Sequence, residues 1–293
     1  MIAARLAPAK VNLFLHVGPL QADGYHPIAT WMVFADIGDR LTLEPAPAWS
    51  FAVTGPYADE IGPGENLVEA AVARLFRCAG RAPPAVRLTL DKQLPVAAGL
   101  GGGSSDAGAA LRLLNATLET PLREPELLQV AGELGADGPA CLVARPLLAG
   151  GRGERLTPAP KTPPLPAVLV NPGRPSSTAA VYRAYDEAPR AAVEQPALPG
   201  RFADPRRVAA ALGPLRNDLE APAERLEPVI GSVLAALRLQ PETLLARMSG
   251  SGATCFALCA RNEEAEALAR RLAHAQPGWW IKPCRLSAPI TNS

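Results

Sequence analysis

Apolar side chains alternate with other side chains near the start of the chain, between residues 5 and 17. This period of two predicts a β-strand, because successive side chains in a strand point to opposite faces. One face would be apolar and carry Val11, Leu13, Leu15 and Val17. The other face would carry Lys10 and Asn12, which would point the same way from a rigid element. A solvent-exposed strand face is the alternative interpretation of these two side chains.

The same reading of periodicity and turn residues predicts strands mixed with helices along the rest of the chain. Residues 28–37 form an apolar run, and further strands are predicted at 41–44, 51–54, 85–90, 167–170, 244–248, 254–259 and 279–286. Helices are predicted at 67–78, 107–114, 125–134, 177–185, 205–212, 221–237 and 263–274. The chain ends in the order strand, glycine turn, strand, helix, strand, which favours an antiparallel sheet backed by helices. The predicted fold class is therefore α+β.

Prolines concentrate in the middle of the chain, where seven lie between residues 156 and 175. No repeat or low-complexity run accompanies them, so the segment is interpreted as a stiff connection that contains one strand. A chain of 293 residues is long enough for two domains. The predicted boundary separates an N-terminal domain, residues 1–160, from a C-terminal domain, residues 161–293.

The glycine-rich stretch LPVAAGLGGGSSDAGAALRLL, residues 94–114, contains the main candidate site. Glycines between Gly99 and Gly103 allow the backbone to approach a ligand closely. Ser104, Ser105 and Asp106 offer N-cap chemistry for a helix over 107–114. Bare amides and the positive end of the helix dipole would then point at one spot, which suits a phosphate. A flexible loop with a good cap is the alternative.

Other phosphate-binding motifs do not fit this stretch. No G-x-x-x-x-G-K-[ST] sequence occurs, so a P-loop is excluded. A dinucleotide-binding fingerprint would need a third glycine where Ser104 stands. The HRD and DFG sequences of protein kinases are also missing.

The charge and cysteine content exclude several classes of protein. With 29 basic and 28 acidic residues, the chain has no general attraction for nucleic acid or anionic membranes. Five cysteines without a C-x-x-C pair indicate a reduced, cytoplasmic protein without a disulfide framework or zinc site. No apolar run reaches the ~18 residues of a membrane span, and no signal peptide is indicated.

Other single residues have both a structural and a functional interpretation. Tyr25 and His26 follow an Asp-Gly turn, which would either close a simple hairpin or present both rings to a flat heterocycle. Asn66 would cap the helix that follows it, and Asp137 would cap a short turn before Pro139. Lys92 would be either a solvated strand end or a nucleotide contact. His16 and His274 are interpreted as structural.

Three blocks in the same order resemble the GHMP small-molecule kinases. They are PAKVNL at residues 8–13, LPVAAGLGGGSS at 94–105 and SGSGAT at 249–254. The resemblance implies an N-terminal domain like domain 2 of ribosomal protein S5 and a ferredoxin-like C-terminal domain, with the active site in the cleft between them. It also implies ATP as phosphoryl donor and an alcohol group on a small molecule as acceptor.

Several roles are carried over from this resemblance. Lys10 and Asp137 would be catalytic, with Asp137 as the base, and Asn12 would orient the alcohol or Asp137. The nucleotide would be bound by Asn66, Lys92, Pro95, Val96, Ala97, Ala98, Gly99, Leu100, Gly101, Gly102, Gly103, Ser104 and Ser105. Mg²⁺ would bridge the phosphate oxygens largely through water, and Ser105 is the one protein ligand suggested. Third-block residues 249–253 would be either a hairpin turn or a segment that closes over the glycine loop.

The sequence DGYH at residues 23–26 narrows the resemblance to the family members that act on a cytidyl diphosphate substrate in isoprenoid precursor synthesis. Tyr25 and His26 would then hold the cytosine, and Thr178 would be a further substrate contact. The alternatives are a homoserine or mevalonate type of kinase, and a nucleotide-binding regulator without catalysis. The chain departs from the family pattern at Gly108 and Gly138. A monomer or a weak dimer is expected.

Overall fold

The computed structural model describes residues 3–62, 66–188 and 191–287, and these form two sheets with helices packed on them. The strands are β1 (Ala3–Val17), β2 (Ile28–Pro45), β3 (Ser50–Thr54), β4 (Val86–Asp91), β5 (Leu147–Gly151), β6 (Arg155–Pro158), β7 (Leu165–Asn171), β8 (Leu245–Met248), β9 (Cys255–Leu258) and β10 (Trp280–Leu286). The helices are α1 (Leu67–Ala79), α2 (Gly102–Asn115), α3 (Glu124–Gly132), α4 (Gly138–Val143), α5 (Thr178–Asp186), α6 (Pro205–Leu212), α7 (Glu220–Leu226), α8 (Val229–Arg238) and α9 (Asn262–Ala275). A 3₁₀ turn lies at Ala58–Glu60.

The N-terminal sheet is built on the antiparallel pair β1 and β2. β2 is long enough to pair also with β4 near one end and with β5 near the other, and β3 lies parallel to β4. Helices α1, α2 and α3 cover this sheet through a core that includes Leu75, Leu88, Leu111 and Leu127. Two β-bulges interrupt the pairing of β1, one between Pro8 and Lys10 and one between Asn12 and Phe14.

The C-terminal sheet is antiparallel in the order β10, β7, β9, β8. Helices α8 and α9 pack on it around Val168, Ile230 and Leu268. This agrees with the predicted antiparallel sheet backed by helices. A pairing of Leu286 with Ala35 joins the two sheets, and a shared apolar cluster that includes Val11, Leu94 and Phe256 fills the space between them. Among the described residues, no helix combines the length and apolar character needed to cross a membrane.

Several predicted boundaries were wrong. β2 runs without a break through Asp39 and Arg40, where the loss of apolar character predicted an interruption, because Asp39 is buried against a lysine. The helix predicted at 221–237 is two helices, which Glu227 and Pro228 separate. α3 ends at Gly132 rather than just before Gly135, which lies three residues further on with φ of 147°.

Candidate active site

The central feature of the cleft is an ion pair between Lys10 and Asp137, with 2.9 Å between Lys10 Nζ and Asp137 Oδ2. Lys10 is buried on β1, whereas about a third of the Asp137 side chain is exposed. Asp137 stands at the N-cap position of α4, but its side chain makes no capping hydrogen bond. The capping interpretation of Asp137 is therefore wrong, and its carboxylate is turned to Lys10. Both residues line one cavity of about 1270 Å³.

The glycine loop is attached directly to the strand that carries Lys10. The amide of Lys10 donates to the carbonyl of Leu100 at 2.8 Å. Gly101 has φ of 62°, and a Cβ there would lie 3.0 Å from Lys10 Cε. Only glycine accepts both this conformation and this proximity without strain. The loop therefore brings its backbone to the lysine side chain.

α2 begins at Gly102, earlier than predicted, and Gly101 is its N-cap without any side-chain cap. The prediction that Ser104, Ser105 and Asp106 cap this helix was wrong, because all three lie inside its first two turns. The Ser105 amide donates to the Gly101 carbonyl at 2.9 Å. In an α-helix the amides before the first such bond have no intrahelical partner. Those of residues 102–104 are thus available for an anion.

The cavity is lined by most of the residues predicted to bind nucleotide: Asn66, Lys92, Pro95, Val96, Ala97, Ala98, Gly99, Gly101, Gly102, Gly103 and Ser104. Leu100 is buried in the apolar cluster between the sheets instead. Asn66 also has its structural role, because its Oδ1 accepts a hydrogen bond from the Val68 amide at 2.8 Å and caps α1. Ser105 is fully buried and lines a separate cavity of about 210 Å³ beside Cys141. This placement gives no support to Ser105 as a metal ligand.

Lys92 forms a buried ion-pair cluster with two carboxylates. Its Nζ lies 2.5 Å from Asp39 Oδ2 and 2.8 Å from Asp106 Oδ2. Asp39 Oδ1 accepts hydrogen bonds from the amides of Gln93 and Leu94, which begin the glycine-rich stretch. Lys92 is therefore not a solvated strand end. It ties β2 and the start of the loop to the first turns of α2, and it lines the cavity.

This cluster shifts two pKa values. Desolvation acts to lower the pKa of Lys92, but the carboxylates of Asp106 and Asp39 outweigh it, and the pKa is raised. Desolvation raises the pKa of Asp106 to about 8, against the opposing effect of Lys92 and with a further contribution from Asp39. One positive charge thus serves two buried carboxyl groups. No sequence pattern indicated that Asp39 or Asp106 belongs to such a cluster.

Tyr25 and His26 lie at the other end of the cavity. The His26 Nδ1 proton is donated to the Gly18 carbonyl at 2.9 Å, and Nε2 faces Asp186 at 3.5 Å. The imidazole also packs against Tyr182, with 5.0 Å between ring centroids. Asp186 and Tyr182 come from α5, and sequence reasoning did not identify either.

Tyr25 is about half exposed, and its ring lies under the guanidinium of Arg152, with 4.4 Å between the Arg152 Cζ atom and the ring centroid. Arg152 also pairs with Asp23, whose Oδ1 accepts a hydrogen bond from the Tyr25 amide. The Asp-Gly turn thus holds Tyr25 and places its ring at the mouth of the cavity. Arg152 lies in the connection from β5 to β6, where no sequence pattern pointed to this contact.

The third block, residues 249–254, packs on the glycine loop. Ser249 Oγ donates to the Gly99 carbonyl at 3.0 Å, and the Thr254 amide donates to the Ala98 carbonyl at 3.1 Å. The block is also the turn between β8 and β9, so both interpretations of it hold. Thr178 hydrogen bonds through its hydroxyl to that of Ser251 at 2.8 Å, and both side chains line the cavity.

Comparison with known protein families matches two parts of the chain. The description "GHMP kinases N terminal domain" matches residues 66–145, which include the glycine loop and Asp137. The description "GHMP kinases C terminal" matches residues 190–277, which include the third block. These matches define the class: a two-domain kinase that uses ATP to phosphorylate small molecules.

Relatives of known name match over nearly the whole chain. The 4-diphosphocytidyl-2-C-methyl-D-erythritol kinase of Caulobacter vibrioides (strain NA1000 / CB15N) is 57% identical over 98% of this chain and 100% of that protein. The protein of the same name from Hyphomonas neptunium is 47% identical over 96% of each. The chain belongs to the GHMP kinase family, in its group of 4-diphosphocytidyl-2-C-methyl-D-erythritol kinases.

Solved structures agree with this assignment. A crystal structure of 4-(cytidine 5'-diphospho)-2C-methyl-D-erythritol kinase is similar with a TM-score of 0.79 and 37% identity, over 98% of this chain and 100% of that one. Homoserine kinase from Cytophaga hutchinsonii has a TM-score of 0.70 at 19% identity, over 97% and 94% of the two chains, and so shares the fold. The predicted family and the predicted two-domain α+β fold are confirmed.

Proposed function

We propose that this kinase transfers the γ-phosphoryl group of ATP to the 2-hydroxyl of 4-diphosphocytidyl-2-C-methyl-D-erythritol, giving the 2-phosphate and ADP. The product would serve the synthesis of isopentenyl diphosphate. The observation that carries the proposal is that one cavity holds the Lys10 and Asp137 pair, the free amides of α2 and a third group of side chains. This group, the His26 cluster, consists of Tyr25, His26, Tyr182 and Asp186. The name of the relative that is 57% identical along its full length supports the same substrate.

The reaction needs a base and a positive charge at the acceptor hydroxyl. Asp137 would accept the proton of that hydroxyl, whose oxygen forms a bond to the γ-phosphorus while the bond from this phosphorus to the bridging oxygen breaks. Lys10 would stabilise the alkoxide as it develops. The amides at the start of α2, with the helix dipole behind them, would hold the phosphate oxygens. Phosphoryl transfer depends mainly on such placement and charge neutralisation.

Mg²⁺ would neutralise charge on the phosphates when bound. The described residues contain no group of three or more His, Cys, Asp or Glu side chains placed to hold a metal ion. Ser105 faces another cavity. The donor set that fits is therefore the phosphate oxygens of ATP together with water, which suits an ion that dehydrates reluctantly.

The His26 cluster would bind and recognise the cytosine of the substrate. Because a carbonyl oxygen only accepts, Nδ1 of His26 donates to Gly18, and Nε2 lies beside Asp186 in the same cavity. A cytosine offers an amino group as donor and a flat face for stacking, and Tyr25 and Tyr182 supply aromatic rings at the same place. Neither homoserine nor mevalonate has a ring that would use these groups.

The test is a coupled assay of ADP release with the cytidyl substrate, homoserine and mevalonate in parallel. The proposal expects turnover with the cytidyl substrate alone, and loss of that preference in His26→Ala and Tyr25→Ala. Preference for homoserine or mevalonate would assign another member of the family. ATP binding without turnover on any alcohol would favour a regulator, although a regulator has no need of both Lys10 and Asp137.

We further propose that the domain boundary lies at residues 160 and 161, in the segment between the end of β6 and the start of β7, which belong to different sheets. All five cysteines are free thiols, in keeping with a protein that works in the reducing cytoplasm where ATP is supplied. Partners would be ATP and the small cytidyl substrate. The expected monomer or weak dimer can be checked by light scattering.

A further inference from the structure

We infer that Thr30 is a positioning residue that sets the direction of the hydrogen bonds around Lys10 and so holds the ammonium group on Asp137. The inference rests on the proposed function in that Lys10 and Asp137 are the reacting pair. Thr30 lies on β2, is fully buried and does not line the cavity. It would act only through the residues that it contacts.

Five groups are joined by a continuous chain of four polar contacts. Thr30 Oγ1 donates to the Phe14 carbonyl at 2.5 Å and accepts from Asn12 Nδ2 at 2.8 Å. Asn12 Oδ1 accepts from Lys10 Nζ at 2.9 Å, and the same Nζ lies 2.9 Å from Asp137 Oδ2. Lys10, Asn12 and Thr30 are all buried. The chain leads from a backbone carbonyl to the catalytic pair.

The direction of this chain is fixed at both ends. A carbonyl oxygen can only accept, so the hydroxyl proton of Thr30 must point to Phe14, which leaves the hydroxyl oxygen to accept. The group of Asn12 that faces Thr30 must then be the amide NH₂. The amide oxygen must face Lys10, whose ammonium can only donate. Thr30 and Lys10 thus fix the orientation of the Asn12 amide from its two ends.

The β-bulge between Asn12 and Phe14 makes this contact possible. The pairing register places Asn12 opposite Met32 and Phe14 opposite Trp31, so Leu13 has no partner of its own. A bulge bends its strand and re-aims side chains. Asn12 is also held at its backbone, where its amide donates to Ser249 Oγ at 3.2 Å. Its side chain therefore has few ways to move apart from rotation of the amide group.

Removal of the Thr30 hydroxyl would free that rotation. With valine at this position, Asn12 Nδ2 would lose its acceptor in a buried site, and Lys10 alone would hold the orientation of the amide. The amide would then be anchored at one end only, and its movement would shift the ammonium from its place beside Asp137. Asn12 also lines the cavity, and the expectation that it orients the alcohol or Asp137 stays a prediction.

The decisive comparison is steady-state kinetics of wild type, Thr30→Val and Thr30→Ser on the cytidyl substrate. We expect Thr30→Val to lower kcat about 10- to 100-fold, the scale of a small misplacement of a catalytic group. KM for both substrates should stay within about threefold, because neither touches Thr30. Thr30→Ser, which keeps the hydroxyl, should restore kcat to within about threefold of wild type. Thr42→Val, a half-buried position on the same strand, is the matched control and should leave kcat unchanged.

A double variant separates positioning from a general packing role. If Thr30 acts through Asn12, Thr30→Val should lower kcat no further in an Asn12→Ala background. Additive losses, or a wild-type kcat in Thr30→Val, would overturn the inference. If Thr30→Val failed to fold, Thr30→Cys would replace it, because a thiol has a similar size and is a weak hydrogen-bonding group. Its kcat should fall in the same way.

Failure of the proposed function can be distinguished from failure of the Thr30 inference. If wild type were inactive on the cytidyl substrate, the proposed function would fail before any variant was compared. The Thr30 inference would still be read from crystal structures of wild type and Thr30→Val without substrate. If the distance from Lys10 Nζ to the Asp137 carboxylate is the same in Thr30→Val as in wild type, the inference is refuted. A longer distance in the variant would support it.

Discussion

Gly138 lies directly against the carbonyl of Ala131, so closely that a Cβ atom at residue 138 would be 2.0 Å from that oxygen. Gly138 opens α4 and immediately follows Asp137, and Ala131 belongs to α3. A similar approach occurs at Gly108 in α2, where a Cβ would be 2.9 Å from the Leu142 amide nitrogen. Two glycines thus let α4 pack against the backbones of its neighbours. This close packing explains why the chain has glycine at both positions where it departs from the family pattern.

Gly138→Ala should therefore damage both stability and catalysis. The added methyl group would force α4 away from α3 and carry Asp137 with it. We expect a loss of about 1–3 kcal/mol in the free energy of unfolding, as for other overpacked sites, and a kcat at least about tenfold lower. Urea denaturation and the ADP-release assay measure the two effects. Gly132→Ala is the control, because its Cβ would meet only Pro139 at an ordinary 3.8 Å, and equal behaviour of the two variants would contradict the argument.

Asp137→Asn tests the base directly. The amide keeps the size of the side chain but accepts a proton far less well, so kcat should fall by roughly 10² to 10⁴. Binding of ATP should be unchanged within about threefold, since the free amides of α2 remain in place. Pre-steady-state turnover and nucleotide titration would measure these separately. Wild-type turnover in a folded variant would remove Asp137 from the role of base.

The Lys92 cluster predicts a pH dependence of stability. Folding raises the pKa of Asp106 to about 8, first through desolvation, and Asp106 Oδ1 finds no hydrogen-bond partner among the described side chains and backbone. The protonated form is thus favoured in the folded state. Its contribution to stability is complete below the unfolded pKa near 4 and is lost as the pH rises through about 8.

Asp106→Asn should remove that dependence. As the pH is raised from 5 to 8, the free energy of unfolding of wild type should fall relative to that of Asp106→Asn. Urea denaturation at a series of pH values gives this difference. The exposed Asp59→Asn should run parallel to wild type over the same range. A difference for Asp106→Asn that stays constant with pH would mean that Asp106 remains ionised throughout.

Arg152 should contribute to substrate binding through Tyr25. Its guanidinium lies over the Tyr25 ring, and a cation–π contact at an exposed site is worth about 0.5–1 kcal/mol. Arg152→Gln should therefore raise KM for the cytidyl substrate about two- to fivefold and leave kcat nearly unchanged. Arg155→Gln is a matched control, because that side chain is exposed and pairs with Glu154 alone among the described residues. A larger effect at residue 155 than at 152 would contradict this reading of the mouth of the cavity.

The sequence predicted elements best where local signals decide them. The limits of α6 were predicted correctly at residues 205–212, and the Asn66 cap of α1 was predicted from residue type. Asp39 was misjudged because a charged residue reads as a strand end until its buried partner Lys92 is known. Ser104 and Ser105 were misjudged as caps because residue type favours a serine cap, whereas the backbone uses Gly101 in a left-handed conformation.

The same distinction between local signals and tertiary contacts applies to the residues of the candidate site. The glycine loop was predicted from the chemistry of its residues alone. Lys10 and Asp137 are 127 positions apart, and only the family resemblance brought them together before the structure placed them 2.9 Å from each other. Thr30, Asp186 and Arg152 depend entirely on tertiary contacts. No periodicity or spacing in one sequence can reveal side chains that gain a role by packing against distant strands.

The hydrogen bonds from the third block to Ala98 and Gly99 have a consequence for how substrates enter. They join the glycine loop to the turn between β8 and β9, and the pairing of Leu286 with Ala35 joins the two sheets directly. A hinge motion that parted the two lobes would have to break all of these bonds at once. Nucleotide exchange should thus occur through the standing opening of the cleft, and turnover should depend little on solvent viscosity beyond the diffusion of ATP and ADP.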